Sequence, residues 1–177
     1  MGHYDRPGRQ AFAEYFAARR DVVRRTAFLL CGDVDWADDL TQVTFVKVAT
    51  AWDRIRDPQA LDAFVRTCLI RTYLAESRRI WRRREYASLR PPESTSGDPT
   101  DDVTRRLAFM DALKQLPPRQ RAVLVCRFYQ DLDVNQTAQA LNCSAGTVKS
   151  QTARGLATLR GLVEDGSLHI ARDELTT

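Results

Sequence analysis

The chain is poor in the residues that build metal centres and disulfide frameworks. It has four cysteines and two histidines in 177 residues. Cys31, Cys68, Cys126 and Cys143 are widely separated and make no C-x-x-C pair, and His3 and His169 lie near the two ends, outside any metal-ligand spacing. The cysteines are therefore expected to be reduced packing residues, and neither a metal nor another cofactor is expected. No apolar run approaches the ~20 residues that cross a bilayer, so no membrane insertion is expected. The opening MGHYDRPGRQ lacks the apolar stretch of a secretory signal, which makes a cytoplasmic protein the expectation. Sustained apolar-polar alternation is missing as well, which argues against sheets. The sequence also lacks a phosphate-cradling glycine loop, a Ser/His/Asp set and paired acids with a plausible cleft. Catalysis is not expected.

What is present is apolar residues, at 44%, and charge, at 28%, enough for real cores in one or two domains. Net charge is only +4, but the signs segregate. Residues 31–53 hold five acids and one lysine, net −4; residues 54–90 hold ten arginines and four acids, net +6. Residues 91–103 hold four acids and no base, net −4; residues 117–162 hold six bases and two acids, net +4. Two basic blocks set between acidic ones suggest two surfaces for polyanions and a different partner for the acidic parts.

Helical periodicity fills the chain. Phe12, Phe16, Val23, Ala27 and Leu30 recur at helical spacing, and Gly32 offers a stop. Asp35 is the expected cap of a second helix, with Asp38 in its first turn and a buried stripe of Ala37, Leu40, Thr44, Phe45, Val48 and Trp52. IRDPQA breaks the pattern before a third helix, from about Gln59 to Glu85. RPPESTSGDPT has the composition of a linker. Beyond it a helix is expected near Asp102–Leu116, and another over Arg119–Tyr129, with a proline in its first turn. Asp133 with Gln136 marks the start of the next, and Asn142 can adopt the left-handed conformation that ends it. Ser144 then caps a last helix reaching about Val163.

Helix, short turn and helix over residues 133–163 is the outline of a helix-turn-helix. Val148, Thr152, Gly155, Leu159 and Val163 share one side of the last helix; Thr147, Ser150 and Arg154 lie opposite, flanked by Lys149 and Gln151. No acid occurs between Ser144 and Leu162. Short donors and acceptors with a few longer arms are what a major-groove helix presents. The same pattern occurs in helical hairpins that bind protein, so both readings stand at this level.

The stretch ALKQLPPRQRAVLVCRFYQDLDVNQTAQALNCSAGTVKSQTARGLATLR resembles region 4 of the sigma-70 family, in its extracytoplasmic-function group. ADDLTQVTFVKV (37–48) resembles the group's region 2.2, and the arginine-rich third helix resembles regions 2.3–2.4. The resemblance implies an all-α fold of two helical domains, a region 2-like module of three to four helices and a region 4-like helix-turn-helix module, joined by a flexible acidic linker. The boundaries are 8–90, the linker 91–103, 104–163, and an acidic tail 164–177. It implies a factor that directs core RNA polymerase to promoters and helps melt the −10 element. By matching positions, Asp38, Asp39, Gln42 and Lys47 contact the clamp coiled coil of the largest polymerase subunit, and region 4 contacts the flap. Arg54, Arg56, Arg66, Arg71, Tyr73, Arg78, Arg79, Trp81 and Arg82 serve the −10 element, although Tyr73 and Trp81 are equally suited to a core. Ser144, Thr147, Lys149, Ser150 and Gln151 read the −35 element, with Arg119, Arg121 and Arg154 on phosphates. An anti-sigma protein is a further partner of the family. The chain departs from the commoner pattern at Val43 (often glutamate), near Arg71 (asparagine) and Ala75 (aspartate), and at Gln151 (often arginine). Other classes are a stand-alone helix-turn-helix regulator, which leaves the N-terminal helices without a task, and a protein-binding adaptor.

Overall fold

The computed structural model describes residues 6–55, 57–86 and 101–164. Among them the regular structure is entirely helical: α1 (Arg6–Cys31), α2 (Val34–Ala51) with a 3-10 turn (Trp52–Arg54), α3 (Pro58–Tyr86), α4 (Asp101–Gln115), α5 (Pro118–Leu124) running into a π-helical turn (Val125–Tyr129), α6 (Val134–Leu141) and α7 (Ala145–Glu164). Helices α1–α3 form the first half and α4–α7 the second. Residues 91–100 of the acidic stretch lie outside the described residues, and 101–103 already belong to α4.

Local chemistry explains most helix ends. Gly32 adopts φ +71, a left-handed conformation open to glycine, and its N–H bonds to Phe28 O at 2.7 Å to close α1. The cap of α2 is Asp33, not Asp35: the Asp33 carboxylate accepts from Trp36 N at 2.7 Å, while Asp35 sits in the first turn. With α1 ending at Cys31 and Gly32 turning the chain, the first extended residue falls at Asp33, two positions before the expected cap. Asp133 and Gln136 form the full capping box of α6, and Asn142 (φ 51, ψ 58) ends it. The Ser144 hydroxyl accepts from Thr147 N at 3.1 Å at the start of α7.

The helix expected over Arg119–Tyr129 is divided. After Leu124 the backbone widens into a π turn, and Gln130 N bonds to Val125 O at 3.0 Å. Asp131 then takes φ 51, and Leu132 N returns to Cys126 O at 3.0 Å. The extra residue keeps Val125 and Cys126 buried while turning Phe128 and Tyr129 outward.

One core runs through both halves. Val23, Ala27 and Leu30 of α1 and Leu69, Ile70 and Tyr73 of α3 belong to the same buried cluster as Val123, Cys126, Leu132, Ala138 and Leu141. Fully burying each such aliphatic side chain contributes about 1.5–3 kcal/mol. At the outer end of the first half, Phe12, Phe16, Tyr15, Trp52 and Phe45 make a chain of ring contacts, with Phe16–Phe45 centroids 4.8 Å apart. The four cysteines are free thiols, and burial pushes Cys31 up to about 11 and Cys126 up to about 12, away from reactive thiolate chemistry.

Arg121 is the polar centre of the junction. It is 7% exposed, and burial lowers the pKa of its guanidinium, with Tyr73 and Cys31 opposing. Nη1 donates to Leu30 O at 2.8 Å, and Nη2 donates to Leu116 O at 3.2 Å and to Lys114 O. One cation thus serves carbonyls at the ends of α1 and α4, where helix dipoles concentrate negative charge. Replacing it with Met keeps the bulk and strands three carbonyls. Arg121→Met is expected to lower stability by about 2–4 kcal/mol, with Arg121→Lys restoring only part because a single ammonium nitrogen does not span acceptors that Nη1 and Nη2 meet separately. Urea unfolding followed by far-UV circular dichroism measures both.

Candidate nucleic-acid interface

The N-terminal part of α7 presents polar side chains to solvent. Ser144, Lys149, Ser150 and Arg154 are exposed, and Thr147 and Gln151 half-buried. Val148 is fully buried on the opposite side, and Gly155 is buried against α5: a Cβ there would lie 3.0 Å from Leu124 Cδ1. Val163 was expected on the buried side, but its side chain is outside the described residues. The Ser144 hydroxyl and Thr147 Oγ1 are 2.9 Å apart, and the Ser150 hydroxyl donates to Thr147 O at 3.0 Å. These short hydroxyls lie against the helix surface, leaving Lys149, Gln151 and Arg154 as the longer arms. Arg119 is exposed at the start of α5. Arg121, expected on a phosphate, is instead buried in the junction for the reason given above.

The residues expected at the −10 element do not form one surface. Arg71, Arg78 and Arg79 recur at helical spacing along one exposed face of α3, and Arg54 is exposed on the 3-10 turn. Arg66 lies on a different side, half-buried in a crevice between the halves with Thr26, Leu69 and Gln130. Tyr73 is 1% exposed, its ring 5.7 Å from Trp36, and burial raises the pKa of its phenol. It is a core residue, not a platform for a base, because the face of α3 that carries it packs onto α2 and the second half. Arg56, and the side chains of Trp81 and Arg82, lie outside the described residues. Arg71 is engaged: Nη2 donates to Gln139 O at 3.1 Å and Nε to Ala140 O at 3.3 Å, both at the end of α6.

On α2 the acidic set divides likewise. Asp38 and Gln42 border an apolar groove between α1 and α2, of about 450 Å³, lined by Phe12, Phe16, Phe45 and Val46. Arg24 of α1 forms an ion pair with Asp38, and this hydrogen bond, more than the added attraction of Arg20, holds the carboxyl below its ordinary value. Asp39 is exposed beside them. Lys47 is on the other flank, where its ammonium donates to Thr72 Oγ1 at 2.6 Å. Between the flanks, Val43 at 36% and Val46 at 60% exposure form an apolar ridge. Sequence reasoning missed that ridge, although the apolar Val43 in place of a usual glutamate was its signal. Exposed Phe128 and Tyr129 were missed because the π turn that exposes them has no sequence signature.

Among the described residues no group of three or more potential ligands could hold a metal ion, and no helix is long and apolar enough to cross a membrane.

Comparison with known proteins gives these surfaces a family. Residues 15–83 match the model of sigma-70 region 2, and residues 106–159 that of sigma-70 region 4. The RNA polymerase sigma-E factor of Streptomyces avermitilis is 38% identical over 160 residues, covering 89% of this chain and 87% of the relative. That of Streptomyces coelicolor is 38% identical over 152 residues, covering 84% of each. The fold is similar to that of the sigma factor RpoE of Bartonella quintana, solved in complex with the anti-sigma factor NepR, with a TM-score of 0.70 at 23% identity over 88% of this chain and 98% of that one. CnrH, solved with the cytosolic domain of CnrY, gives 0.58 at 20% identity over 89% and 90%. With both regions matched in order and relatives of this closeness along most of its length, the chain belongs to the extracytoplasmic-function group of the sigma-70 family and is an RNA polymerase sigma factor.

Proposed function

We propose that this sigma factor reads the −35 element with the N-terminal turns of α7 and guides the −10 strand along the basic face of α3. The observation that carries the reading is the outward face of α7: capped by Ser144, free of acids to Leu162, and armed with Lys149, Gln151 and Arg154. Phosphate contacts position such a helix and base contacts specify. Arg119 and Arg154 suit the first task, and Ser144, Thr147, Lys149, Ser150 and Gln151 the second. For the −10 strand, Arg54, Arg71, Arg78 and Arg79 supply backbone tracking, and Arg56, Trp81 and Arg82 are assigned to the same task by sequence alone. Arg66 belongs to this set only when the halves part.

The clamp coiled coil of core polymerase docks on the outer side of α2, with Asp38, Asp39 and Gln42 beside the Val43–Val46 ridge and Lys47 at its flank. The flap takes region 4, where exposed Phe128 and Tyr129 offer apolar surface. Phosphodiester chemistry belongs to the polymerase, and the site of action is the cytoplasm. An anti-sigma protein competing for these surfaces fits the same reading.

Transcription reconstituted from core polymerase and a promoter library is the test. Initiation from a defined subset of promoters only when this chain is present is the expected result. Retarded duplex without polymerase, and no open complex with it, would instead mark a stand-alone regulator.

Two substitutions sharpen the reading. Glutamine pairs best with adenine edges and arginine with guanine, each worth about 1–3 kcal/mol of discrimination. Gln151→Arg should therefore change base preference at one −35 position by roughly tenfold or more, scored by sequencing the bound promoters. Arg24→Ala should return the Asp38 carboxyl toward the ordinary carboxylate range in an NMR titration. Since the folded value is depressed, any stability from the pair is present at neutral pH and fades as pH falls through that value, so wild type and variant should converge in acid.

A further inference from the structure

We propose that Trp36 is a positioning residue for strand capture: its indole N–H draws the Glu76 carboxylate off the edge of the basic face of α3 and leaves Arg79 to a phosphate. This rests on the assignment of that face to the −10 strand. Glu76 stands one turn before Arg79, the spacing at which an acid and a following base pair on a helix surface. Glu76 does not take that partner. It is half-buried, and its Oε2 accepts from Trp36 Nε1 at 2.8 Å, across to the first turn of α2. Arg79 stays exposed.

The donor is itself held in place. Trp36 N donates to the Asp33 carboxylate at 2.7 Å, and the Trp36 ring lies 5.7 Å from that of Tyr73, one turn before Glu76 on α3. Asp62 shows the same arrangement earlier in α3. It stands one turn before Arg66, yet its carboxylate accepts from Tyr15 Oη at 2.8 Å and pairs with Arg19, both on α1. The placement of such acids matters because binding to a strand gains from each cation that exchanges its counterions for a phosphate. A guanidinium already paired with a carboxylate loses that gain. The indole is a neutral donor, and hydrogen bonds to ionised acceptors are among the stronger ones, so Trp36 holds the carboxylate without occupying a cation.

The test frees the carboxylate in two ways. Glu76→Asp keeps the charge and every core side chain but shortens the arm by a methylene, so the carboxylate falls short of the indole and turns toward Arg79. Trp36→Phe removes the donor and keeps a ring against Tyr73. The full chain is assembled with core polymerase, and its affinity for a labelled degenerate DNA single strand of about 12 nucleotides is measured over a salt series, with core alone as baseline. Both variants are expected to bind roughly three- to tenfold more weakly. The slope of log affinity against log salt should become shallower by about 0.7, the loss of one phosphate contact. Glu76→Gln still offers the indole an acceptor and has no charge to give Arg79, so alone it should bind at least as tightly as wild type. Combined with Trp36→Phe it should restore wild-type affinity, which a role for Trp36 in packing alone would not allow. Unchanged affinity in Glu76→Asp, or no rescue by Glu76→Gln, overturns the proposal. Arg79→Ala tells the two readings apart. If it also leaves affinity unchanged, the assignment of this face to the −10 strand is what fails; if it alone weakens binding, the face stands and the role of Trp36 falls.

Discussion

A helix end carries carbonyls without partners and partial negative charge, and it can be buried only where a donor reaches it. In this chain that constraint falls at the junction of the halves. The end of α1 is closed by Gly32, whose turn leaves Leu30 O facing the second half, where Arg121 meets it. Since Arg121 also gathers Lys114 O and Leu116 O, the turn between α4 and α5 and the seat of α1 share one side chain. Lys114 lies over Gly32 as well, but with an exposed, flexible side chain that can move aside, so it is the positive φ of the turn that calls for glycine there.

Around that junction the candidate functional surfaces point different ways. The ridge of α2 faces outward on the first half, the N-terminal face of α7 on the second, and the basic face of α3 runs along the boundary between them. The segregated charge of the chain follows this division of surfaces. Acids concentrate on α2, arginines on α3, and the acid-free stretch coincides with α7.

The parts legible in sequence were those written in local chemistry. Gly32, the Asp133–Gln136 box, Asn142 and Ser144 each set a helix end through bonds to residues within four positions, so their spacing carried the information. The helix-turn-helix face was readable because period 3.6 is a property of one helix. What escaped depends on distant partners. Arg121 and an exposed arginine are indistinguishable in sequence, since its acceptor Leu30 is 91 positions away. Tyr73 sits in an arginine-rich helix that reads as basic, yet the side of α3 it occupies is core. Asp33 and Asp35 are equally good capping residues, and the end of the preceding helix decided between them.

The π turn at Val125–Tyr129 bears on how the chain tolerates change in length. Such a turn spends one residue more than an α-helical turn, and successive residues of a helix differ in direction by about 100°. Everything beyond it, α6 and the polar face of α7 included, is aimed by that single residue. Loss of one residue between Leu124 and Gln130 would let the helix continue regularly, bury a different side, and swing the polar face of α7 to another direction while leaving every residue of that face in the sequence. The orientation of the face proposed to read the −35 element is thus stored in a residue count, at a place where neither charge nor base chemistry would reveal it.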